Sequence, residues 1–534
     1  MYVTSATSGI SLNSIGYLPN RNKRAFVDVA CSTFSVLNVN GEPVFAGIAS
    51  GPVKDLDTGR DLWTLDFTAL ETPGRYLLDV PGVGQSATFD IANDIYNFPF
   101  YLVTRAMYLW RCGIDVSAKD SDGNEYRQHA CHLDDGHFLD GRPRVDATGG
   151  WHDAGDYNKY VVNAGITVAS MLLAWDMYQG RLERARLDIP ESEGPLPDLL
   201  AEVKWEVDWL LKMQAADGSV YHKLSAVHFC PFIMPDKETE PRYFCPWSSA
   251  ATADFAATCA MFARCVRQFD PDYADRCIDA AVRAYDFLLA HPENHRGDIQ
   301  AFKTGGYTTD DADDRLWMAA ELWDATGDER YRLDFETRAR GMSELVEVNW
   351  DWSHVTNLGT IRYLLSNRPK DEALAAQIEA AVLQAGESIV DTCRANGYAR
   401  PLGSRYYWGA NGTVARQSIV LSVANRLVRK GSESRYHCGD YVETGLDALA
   451  YLFGRNPYGR SFVTGLGHQP PMFPHDRRSG ADGIVDPWPG YVVGGAWPTA
   501  LDWKDEENSH ETNEIAINWN SALIYALAWF VAPE

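Results

Sequence analysis

The stretch of sequence that decides the fold and the chemistry of this chain is GGWHDAGDYNKY, at residues 149–160. It places two carboxylates, Asp153 and Asp156, three positions apart, beside an aromatic residue and two glycines. Two carboxylates this close repel each other, so neighbouring groups must stabilise the ionised form of one while the other helps to hold a water molecule. Such a pair can supply a general base, although a bare DxxD pattern also occurs in solvated turns.

Two further segments lie near the end of the chain: YLFGRNPYGRSFVTGLGHQPPMFPHDRR at 451–478 and NEIAINWNSALIYALAWF at 513–530. Together with GGWHDAGDYNKY, in this order, they resemble glycoside hydrolase family 9, the inverting cellulases. Weaker similarity, in LLAEVKWEVDWLLKMQAADG at 199–218 and YYWGANG at 406–412, extends the resemblance over nearly the whole chain.

Length and composition limit the class of protein. A chain of 534 residues is too long for one ordinary core and suits a small domain followed by a large one. Hydrophobic residues make up 46% of the chain, and 17 Trp and 26 Tyr leave aromatic side chains for a ligand as well as for the core. We therefore expect a globular protein.

The charge balance excludes some partners. The chain has 48 Lys and Arg against 73 Asp and Glu, a formal net charge of −25, which repels nucleic acid and anionic membranes but accepts neutral or cationic polymers. No run approaches the ~20 consecutive apolar residues of a membrane span. The first residues, MYVTSATSG, lack the basic and apolar blocks of a signal peptide, so we expect a secreted protein whose leader has been removed, or a cytoplasmic one if no leader was removed.

The ten cysteines lie mostly in Ala-rich segments with a helical pattern, such as AATCAMFARC. A buried free thiol packs there as a small hydrophobic group. We expect few or no disulfides, and a monomer.

Hydrophobic periodicity divides the chain into two domains, 1–95 and 96–534. Between residues 9 and 92, short alternating runs separated by turns predict a small β-sandwich of the immunoglobulin-like kind, with strands at AFVDV, FSVLNV, EPVFAG, LWTLDF, GRYLLDV and SATFDI. Such a module is expected to brace the larger domain.

From residue 96 onwards, longer segments with helical periodicity predict about a dozen helices. This pattern is compatible with several all-α architectures, and the resemblance to family 9 implies an (α/α)6 barrel with its cleft formed by loops at one end. The predicted helices lie at 98–111, 160–179, 197–214, 250–268, 273–291, 313–325, 330–347, 354–365, 371–394, 413–430, 440–453 and 513–531.

The resemblance also implies catalytic roles. Asp156 matches the general base, Asp153 the carboxylate that helps to position the water, and Glu514 in NEIAINW the general acid. Inverting hydrolysis needs the acid and the base on opposite faces of the sugar, with the carboxyl groups ~6.5 to 9.5 Å apart. Taken alone, a Glu at a predicted helix start is usually a capping residue, and only burial and substrate contact can raise its pKa there. Many relatives have Asp where this chain has Asn518, which leaves the subfamily and the substrate open.

Substrate contacts are assigned in the same way. His475 and Arg477 match residues that hold the sugar at the cleavage point, although an HxR pair alone is more often an ordinary surface pair. Tryptophan rings bind the apolar faces of pyranoses. We expect Trp408 and Trp350 to do so first among the loop tryptophans, which also include Trp151, Trp497 and Trp503.

The sequence also contains four candidate ligands of a metal ion. Cys112, Cys131, His132 and His152 supply two thiolates and two imidazoles, a set suited to tetrahedral zinc. The gaps of 18 and 19 intervening residues are not those of a zinc finger, so buried thiols and satisfied histidines remain the alternative. The resemblance implies a structural zinc here, since a subset of family 9 enzymes carries one. Full protein coordination would leave that zinc unable to do the hydrolysis.

A calcium site is a further expectation. The loop TTDDADDRLW offers hard oxygen ligands, among them Asp313 and Asp314, which fall where relatives place calcium ligands. Asp351 could complete the shell from another loop. A solvated acidic loop is the alternative.

Our first functional hypothesis is an inverting endo-β-1,4-glucanase acting on soluble or amorphous cellulose and related β-glucans, without an organic cofactor. The second is an exo-acting cellodextrinase, or an exo-β-glucosaminidase on chitosan oligomers, for which acidic loops such as DWKDEENSHE at 502–511 could hold the amino group. The third is a non-catalytic sugar-binding protein. The presence of all three carboxylates opposes the third.

Overall fold

The computed structural model describes residues 9–120 and 123–532. The first part of the chain forms ten strands, and every run expected to be a strand contributes one. The strands are β1 (Ile10–Ser11), β2 (Gly16–Tyr17), β3 (Arg24–Val27), β4 (Thr33–Asn38), β5 (Pro43–Ile48), β6 (Ser50–Lys54), β7 (Asp61–Asp66), β8 (Gly74–Val80), β9 (Gly84–Gln85) and β10 (Phe89–Ile91).

Two sheets face each other in this β-sandwich. One has the strand order β1-β3-β7-β6, and the other has the order β2-β10-β8-β4-β5 with β9 paired to β8. Side chains alternate between the two faces of a strand, so every second residue of β8, namely Tyr76, Leu78 and Val80, enters the core between the sheets. This core is separate from the main core of the protein.

The remainder of the chain is mainly helical. The described helices are α1 (Asn97–Leu109), α2 (Val161–Leu182), α3 (Asp198–Lys212), α4 (Ser249–Val266), α5 (Pro271–Ala290), α6 (Ala312–Thr326), α7 (Glu329–Gly341), α8 (Thr356–Leu365), α9 (Glu372–Ala395), α10 (Ala410–Arg429), α11 (Cys438–Leu452), α12 (His510–Asn513) and α13 (Ile517–Ala528). A 3₁₀ turn spans Pro235–Lys237.

Short strands accompany these helices. A hairpin joins β11 (Val116–Lys119) to β12 (Glu125–Gln128), and a three-stranded sheet is formed by β13 (Lys159–Tyr160), β14 (Lys223–Ser225) and β15 (Tyr243–Phe244).

The helices form two sets. The inner helices are α2, α4, α6, α8, α10 and α13. Within this set α10 packs on α13, α13 on α2, α2 on α4, α4 on α6 and α6 on α8. The outer helices α1, α3, α5, α7, α9 and α11 each pack against members of the inner set. Helices that are mostly apolar on all sides belong in a core, as α4 and α13 do, and α10 is also buried along almost its whole length although it carries several polar side chains.

Helix α2 illustrates this rule. By length and composition it could cross a membrane, but 83% of its most apolar window is buried inside the protein. The apolar side chains of α2 therefore pack in the core of the protein.

The expected helix over 513–531 is wrong at its beginning. The chain forms the single turn α12, passes through Glu514, Ile515 and Ala516 in extended conformation, and only then enters α13. These three residues form bridges to other segments, so tertiary hydrogen bonds replace the intrahelical ones.

Partly buried polar contacts fix the sandwich to the helical part. The carboxylate of Asp447 on α11 lies 2.6 Å from the guanidinium of Arg24 on β3 and 2.7 Å from that of Arg455. These two cations lower the pKa of Asp447 against the effect of its burial. Nearby, Ser14 donates a 2.6 Å hydrogen bond to the carbonyl of Phe453.

Candidate active site

Backbone hydrogen bonds join the three sequence motifs. Ala154 forms an antiparallel bridge with Ala516, and His475 forms a parallel bridge with Glu514. The amide of Ile517 donates to the carbonyl of Asp153 at 2.9 Å. Segments more than 300 positions apart in sequence are therefore held side by side.

Gly155 explains why the first motif needs a glycine at its centre. A Cβ at this position would lie 2.0 Å from the carbonyl oxygen of His475, which is backbone and cannot move aside easily. The carbonyl of Gly155 also accepts hydrogen bonds from the amide and the guanidinium of Arg477, at 3.1 and 2.7 Å. The first two motifs thus pack backbone against backbone.

The joined segments open into a cavity of about 380 Å³. The carboxyl groups of Asp153, Asp156 and Glu514 all line it. It lies near the N-terminal ends of α2, α10 and α13, where the helix dipoles favour negative charge. The other lining residues are Ala154, Tyr160, Phe229, Gly305, Gly306, Tyr307, Asp351, Trp352, Trp408, Ala516, Asn518 and Trp519.

Asp153 is almost completely buried and accepts two hydrogen bonds. The Asn163 amide donates to Oδ1 at 2.7 Å, and the Tyr307 hydroxyl donates to Oδ2 at 2.8 Å. Burial, together with the neighbouring charge of Asp156, raises the pKa of Asp153 to about 8, against the two hydrogen bonds. Hydrogen bonds to both carboxylate oxygens therefore fix the Asp153 side chain in one orientation.

Asp156 accepts on a single oxygen. The Asn158 amide and the Tyr160 hydroxyl, the latter at 3.2 Å, both donate to its Oδ2. No protein partner is recorded for its other oxygen among the described residues, and the side chain lines the cavity. Asp156 is thus held in place while one oxygen remains available.

Glu514 lies between α12 and α13. Loss of water around its carboxyl group raises its pKa well above the ordinary value of 4.5, and the charges of Asp156 and Asp153 raise it further. The positive charge of Arg477 and a hydrogen bond from Trp408 lower the pKa of Glu514 and so oppose this rise. The arrangement favours a protonated Glu514, as a proton donor requires.

His475 and Arg477 lie beside the cavity, joined to it through the bridge to Glu514 and the bonds to Gly155. The His475 Nδ1 lies 2.7 Å from the carbonyl oxygen of Glu507, and burial lowers the pKa of its ring. The guanidinium of Arg477 also donates to the carbonyl of Cys230 at 2.8 Å.

The expectation for Trp350 is wrong. Its side chain is only 2% exposed and packs in the core under the guanidinium of Arg416, so it offers no face to a sugar. Two positions later in the same segment, Trp352 lines the cavity instead. Trp408, 46% exposed, lines it as expected.

The other loop tryptophans do not reach this cavity. Trp151 and Trp503 are buried, and Trp497 is exposed but lies outside the lining. The indole of Trp151 is held by Glu202, and its backbone amide by Glu206, both on α3. Trp151 therefore anchors the catalytic loop to the helical core.

Asn518 has a structural explanation. Its amide donates to Asp351 Oδ1 at 2.7 Å, and the same oxygen lies 3.1 Å from the Arg416 guanidinium. An aspartate at position 518 would place a second carboxylate against Asp351, with electrostatic repulsion between them.

Three residues to which the sequence analysis assigned no role hold the carboxylates: Tyr307 and Asn163 lie outside the three motifs, and Tyr160 is the last residue of the first motif. Tyr307 has a left-handed backbone with φ of 47°, an uncommon and costly conformation for a residue with a side chain. In this conformation its hydroxyl reaches Asp153. The two glycines before Tyr307, Gly305 and Gly306, were the only sign in the sequence that this loop has an unusual backbone conformation.

A buried cluster of four possible metal ligands adjoins the catalytic loop. The ligand atoms of Cys112, Cys131, His132 and His152 all lie within 4.8 Å of one another. Cys112 Sγ is 3.8 Å from His132 Nδ1, and Cys131 Sγ is 3.7 Å from His152 Nε2. Two thiols and two imidazoles make a donor set that fits a tetrahedral divalent metal.

Surrounding groups support this interpretation. The His132 Nε2 lies 2.9 Å from a Glu238 carboxylate oxygen, the second contact that metal-binding histidines usually make. Arg242 donates to Cys112 Sγ at 3.0 Å, which stabilises a thiolate. His132 also adopts a left-handed φ of 52°. Because His152 precedes Asp153, the cluster sits directly behind the catalytic loop.

The expected calcium set is not brought together. Asp313, Asp314 and Asp351 do not form a metal-ligand group in the part of the chain that the structure describes. The carboxylate of Asp351 is paired with Arg416, and Asp313 accepts a hydrogen bond from the amide of Val355. Asp351 and Asp313 therefore accept from protein donors, whereas the carboxyl oxygens of Asp314 are buried without a hydrogen-bond partner among the described residues. All ten cysteines are free.

Comparisons with known proteins agree with this arrangement. Residues 96–527 match glycosyl hydrolase family 9, and residues 5–85 match the cellulase N-terminal ig-like domain. Endoglucanase D of Acetivibrio thermocellus is 51% identical over 98% of this chain and 83% of its own length. A cellodextrinase of Butyrivibrio fibrisolvens is 32% identical over 97% of this chain and 99% of its own.

Solved structures agree as well. A metagenome-derived glycoside hydrolase family 9 endoglucanase superposes with a TM-score of 0.90 at 33% identity, over 98% of each chain. A Zn-binding triple mutant of the family 9 endoglucanase J30 superposes with a TM-score of 0.88 at 32% identity, over 97% of this chain and 100% of its own. The motifs, the cavity and these matches together show that the chain belongs to glycosyl hydrolase family 9.

Proposed function

We propose that this protein is an endo-β-1,4-glucanase that hydrolyses β-1,4-glucosidic bonds of cellulose or related β-glucans with inversion. The observation that carries the proposal is that Asp153, Asp156 and Glu514 line one cavity with aromatic side chains between them. The 51% identity to an endoglucanase over nearly the whole chain supports the substrate class.

In the proposed reaction Glu514 gives its proton to the glycosidic oxygen while the bond from that oxygen to the anomeric carbon breaks. Asp156 accepts a proton from a water molecule, whose oxygen forms the new bond to the anomeric carbon from the opposite face. Asp153, held by Asn163 and Tyr307, positions this water.

Sugar rings are proposed to bind along the aromatic lining. Trp352, Trp408 and Phe229 offer apolar faces in the cavity. His475 and Arg477 are proposed to donate hydrogen bonds to sugar hydroxyls at the cleavage point. They are adjacent to Glu514 in space, which supports this placement.

The same proposal includes the architecture of the helical domain and the ion held by the metal-ligand cluster. The contacts of six inner and six outer helices support an (α/α)6 barrel. The four-ligand cluster is proposed to hold a structural zinc, which would fix Cys112, Cys131 and His132 to His152 beside the catalytic loop and supply stability only.

One alternative is exo action, because a relative of 32% identity carries the name cellodextrinase. Mixed short oligomers and a rapid fall in viscosity indicate endo action, whereas single units released from one end indicate exo action. The acidic loop at 502–511 gives little support for action on chitosan, because one of its carboxylates is already occupied by protein donors. There Asp505 already accepts from Arg460 and from the amides of Met472 and Phe473.

The catalytic roles are tested by Glu514→Gln and Asp156→Ala. Each removes a proton-transfer group, so we expect kcat on soluble cellulose to fall by about 10²- to 10⁴-fold with the fold intact. Glu511→Gln, three residues earlier on α12, is the matched control and should keep near-normal activity. A near-normal rate in either test variant would refute the assignment.

The pH profile tests the proton donor separately. An acid must be protonated to act, so kcat/KM should fall as pH rises through the pKa of Glu514. Because Arg477 lowers that pKa, Arg477→Met should shift the alkaline limb to higher pH, whereas Arg477→Lys should leave it close to the original. A limb that moves to lower pH in Arg477→Met contradicts this role for Glu514.

Metal removal tests the zinc. Cys131→Ser should abolish stoichiometric zinc, measured by elemental analysis, and lower the melting temperature, while a residual rate persists because the metal takes no part in the chemistry. Cys245→Ser, a buried thiol outside the cluster that donates to a carbonyl at 3.3 Å, is the control and should retain zinc. Unchanged zinc content in Cys131→Ser would disprove the site.

A further inference from the structure

A second, larger cavity of about 730 Å³ lies away from the catalytic cleft. Its wall includes the C-terminal ends of α2 and α10, whose N-terminal ends border the catalytic cavity. With its 22 residues, α2 is about 33 Å long, so the two cavities are separated by roughly the thickness of the helical domain. No step of the proposed hydrolysis uses this second cavity.

The wall of this cavity is strongly basic. Four arginines line it, namely Arg21, Arg181, Arg426 and Arg429. Among the described lining residues there is no Asp or Glu, although acidic residues outnumber basic ones by 73 to 48 in the whole chain. The cavity therefore has the opposite charge from the protein around it.

These cations have few carboxylate partners, although Arg181, Arg426 and Arg429 lie in the last turns of α2 and α10, where the helix dipole favours positive charge. Neither Arg426 nor Arg429 has a carboxylate within ion-pair distance in the described chain, and the guanidinium of Arg426 lies 3.4 Å from the sulfur of Met177. Arg181 donates to the backbone carbonyl of Trp529 at 2.7 Å, and Arg21 is 3.6 Å from Glu443. Like charges gathered around one space repel each other, and a bound anion relieves that repulsion.

The rest of the wall suits a sugar ring. Trp529 and Tyr178 supply aromatic surface, and Asn20, Asn93 and Gln179 supply amides that can bond to hydroxyls. Guanidinium groups bind carboxylate and phosphate oxygens in pairs, with geometry that neutral sugars cannot match. The composition of the wall thus combines an oxyanion site with a carbohydrate surface.

We infer that this cavity, lined by Arg21, Arg181, Arg426 and Arg429, is a second ligand site that binds a sugar carrying an oxyanion group, either a carboxylate or a phosphate. The ring would lie against Trp529, and the oxyanion would bind the arginines of α10. This site is separate from the cleft in which neutral glucan is proposed to be cut.

The experiment compares the binding of glucuronate, glucose 6-phosphate and glucose to the whole protein, by calorimetry or ligand-observed NMR, with saturating cellobiose present to occupy the catalytic cleft. We expect at least one of the charged sugars to bind at least about tenfold more tightly than glucose, with affinity that falls as salt is added. Binding of glucuronate alone identifies a carboxylate ligand, and binding of glucose 6-phosphate alone identifies a phosphate ligand. Equal affinity for all three sugars would overturn the inference.

Variants locate the site. Arg426→Gln with Arg429→Gln should weaken binding of the charged sugar by about tenfold or more. Lys430→Gln removes a charge from the end of the same helix but outside the cavity wall, and should change binding by less than about twofold. Retained hydrolysis of soluble cellulose shows that each variant is folded. Unchanged binding in the double variant, or equal loss in Lys430→Gln, rejects the site.

Discussion

The structure of the active site depends on backbone hydrogen bonds that tie three distant segments together at one end of the inner helices. The pairs Ala154–Ala516 and His475–Glu514 hold the segment of the proposed base against that of the proposed acid. Gly155 permits the close approach. Since these bonds belong to the main chain, the carboxyl groups are positioned by rigid elements and not by their own flexible side chains.

This framework brings three carboxyl groups close together, so their ionisation depends on the residues around them. Three carboxyl groups that line one cavity cannot all ionise at ordinary cost. The hydrogen bonds from Asn163 and Tyr307 favour the ionised form of Asp153, but burial and the charge of Asp156 outweigh them and raise its pKa to about 8. Across the cavity, desolvation and repulsion keep the proton on Glu514. A protonated Glu514 that shares the cavity with Asp156, which keeps one carboxylate oxygen available, is what general acid–base catalysis requires.

Much of this arrangement could be predicted from the sequence, because long motifs and hydrophobic periodicity reflect local physics. The six strands and most helices follow from alternation and helical period, and Asp153, Asp156, Glu514 and Trp408 do share a cavity. Side-chain direction could not be predicted, since Trp350 and Trp352 occupy the same segment and point to core and cavity respectively. The left-handed Tyr307 and the break at Glu514 depend on tertiary contacts that no local pattern encodes.

The central claim is that water attacks the anomeric carbon from the face opposite the protonated leaving oxygen. The stereochemistry of the first product tests it most directly, by recording proton NMR spectra during the first minutes of cellooligosaccharide hydrolysis, before mutarotation. The account predicts that the new reducing end appears first as the α-anomer. Initial appearance of the β-anomer would contradict it, because retention requires a covalent intermediate with a nucleophilic carboxylate.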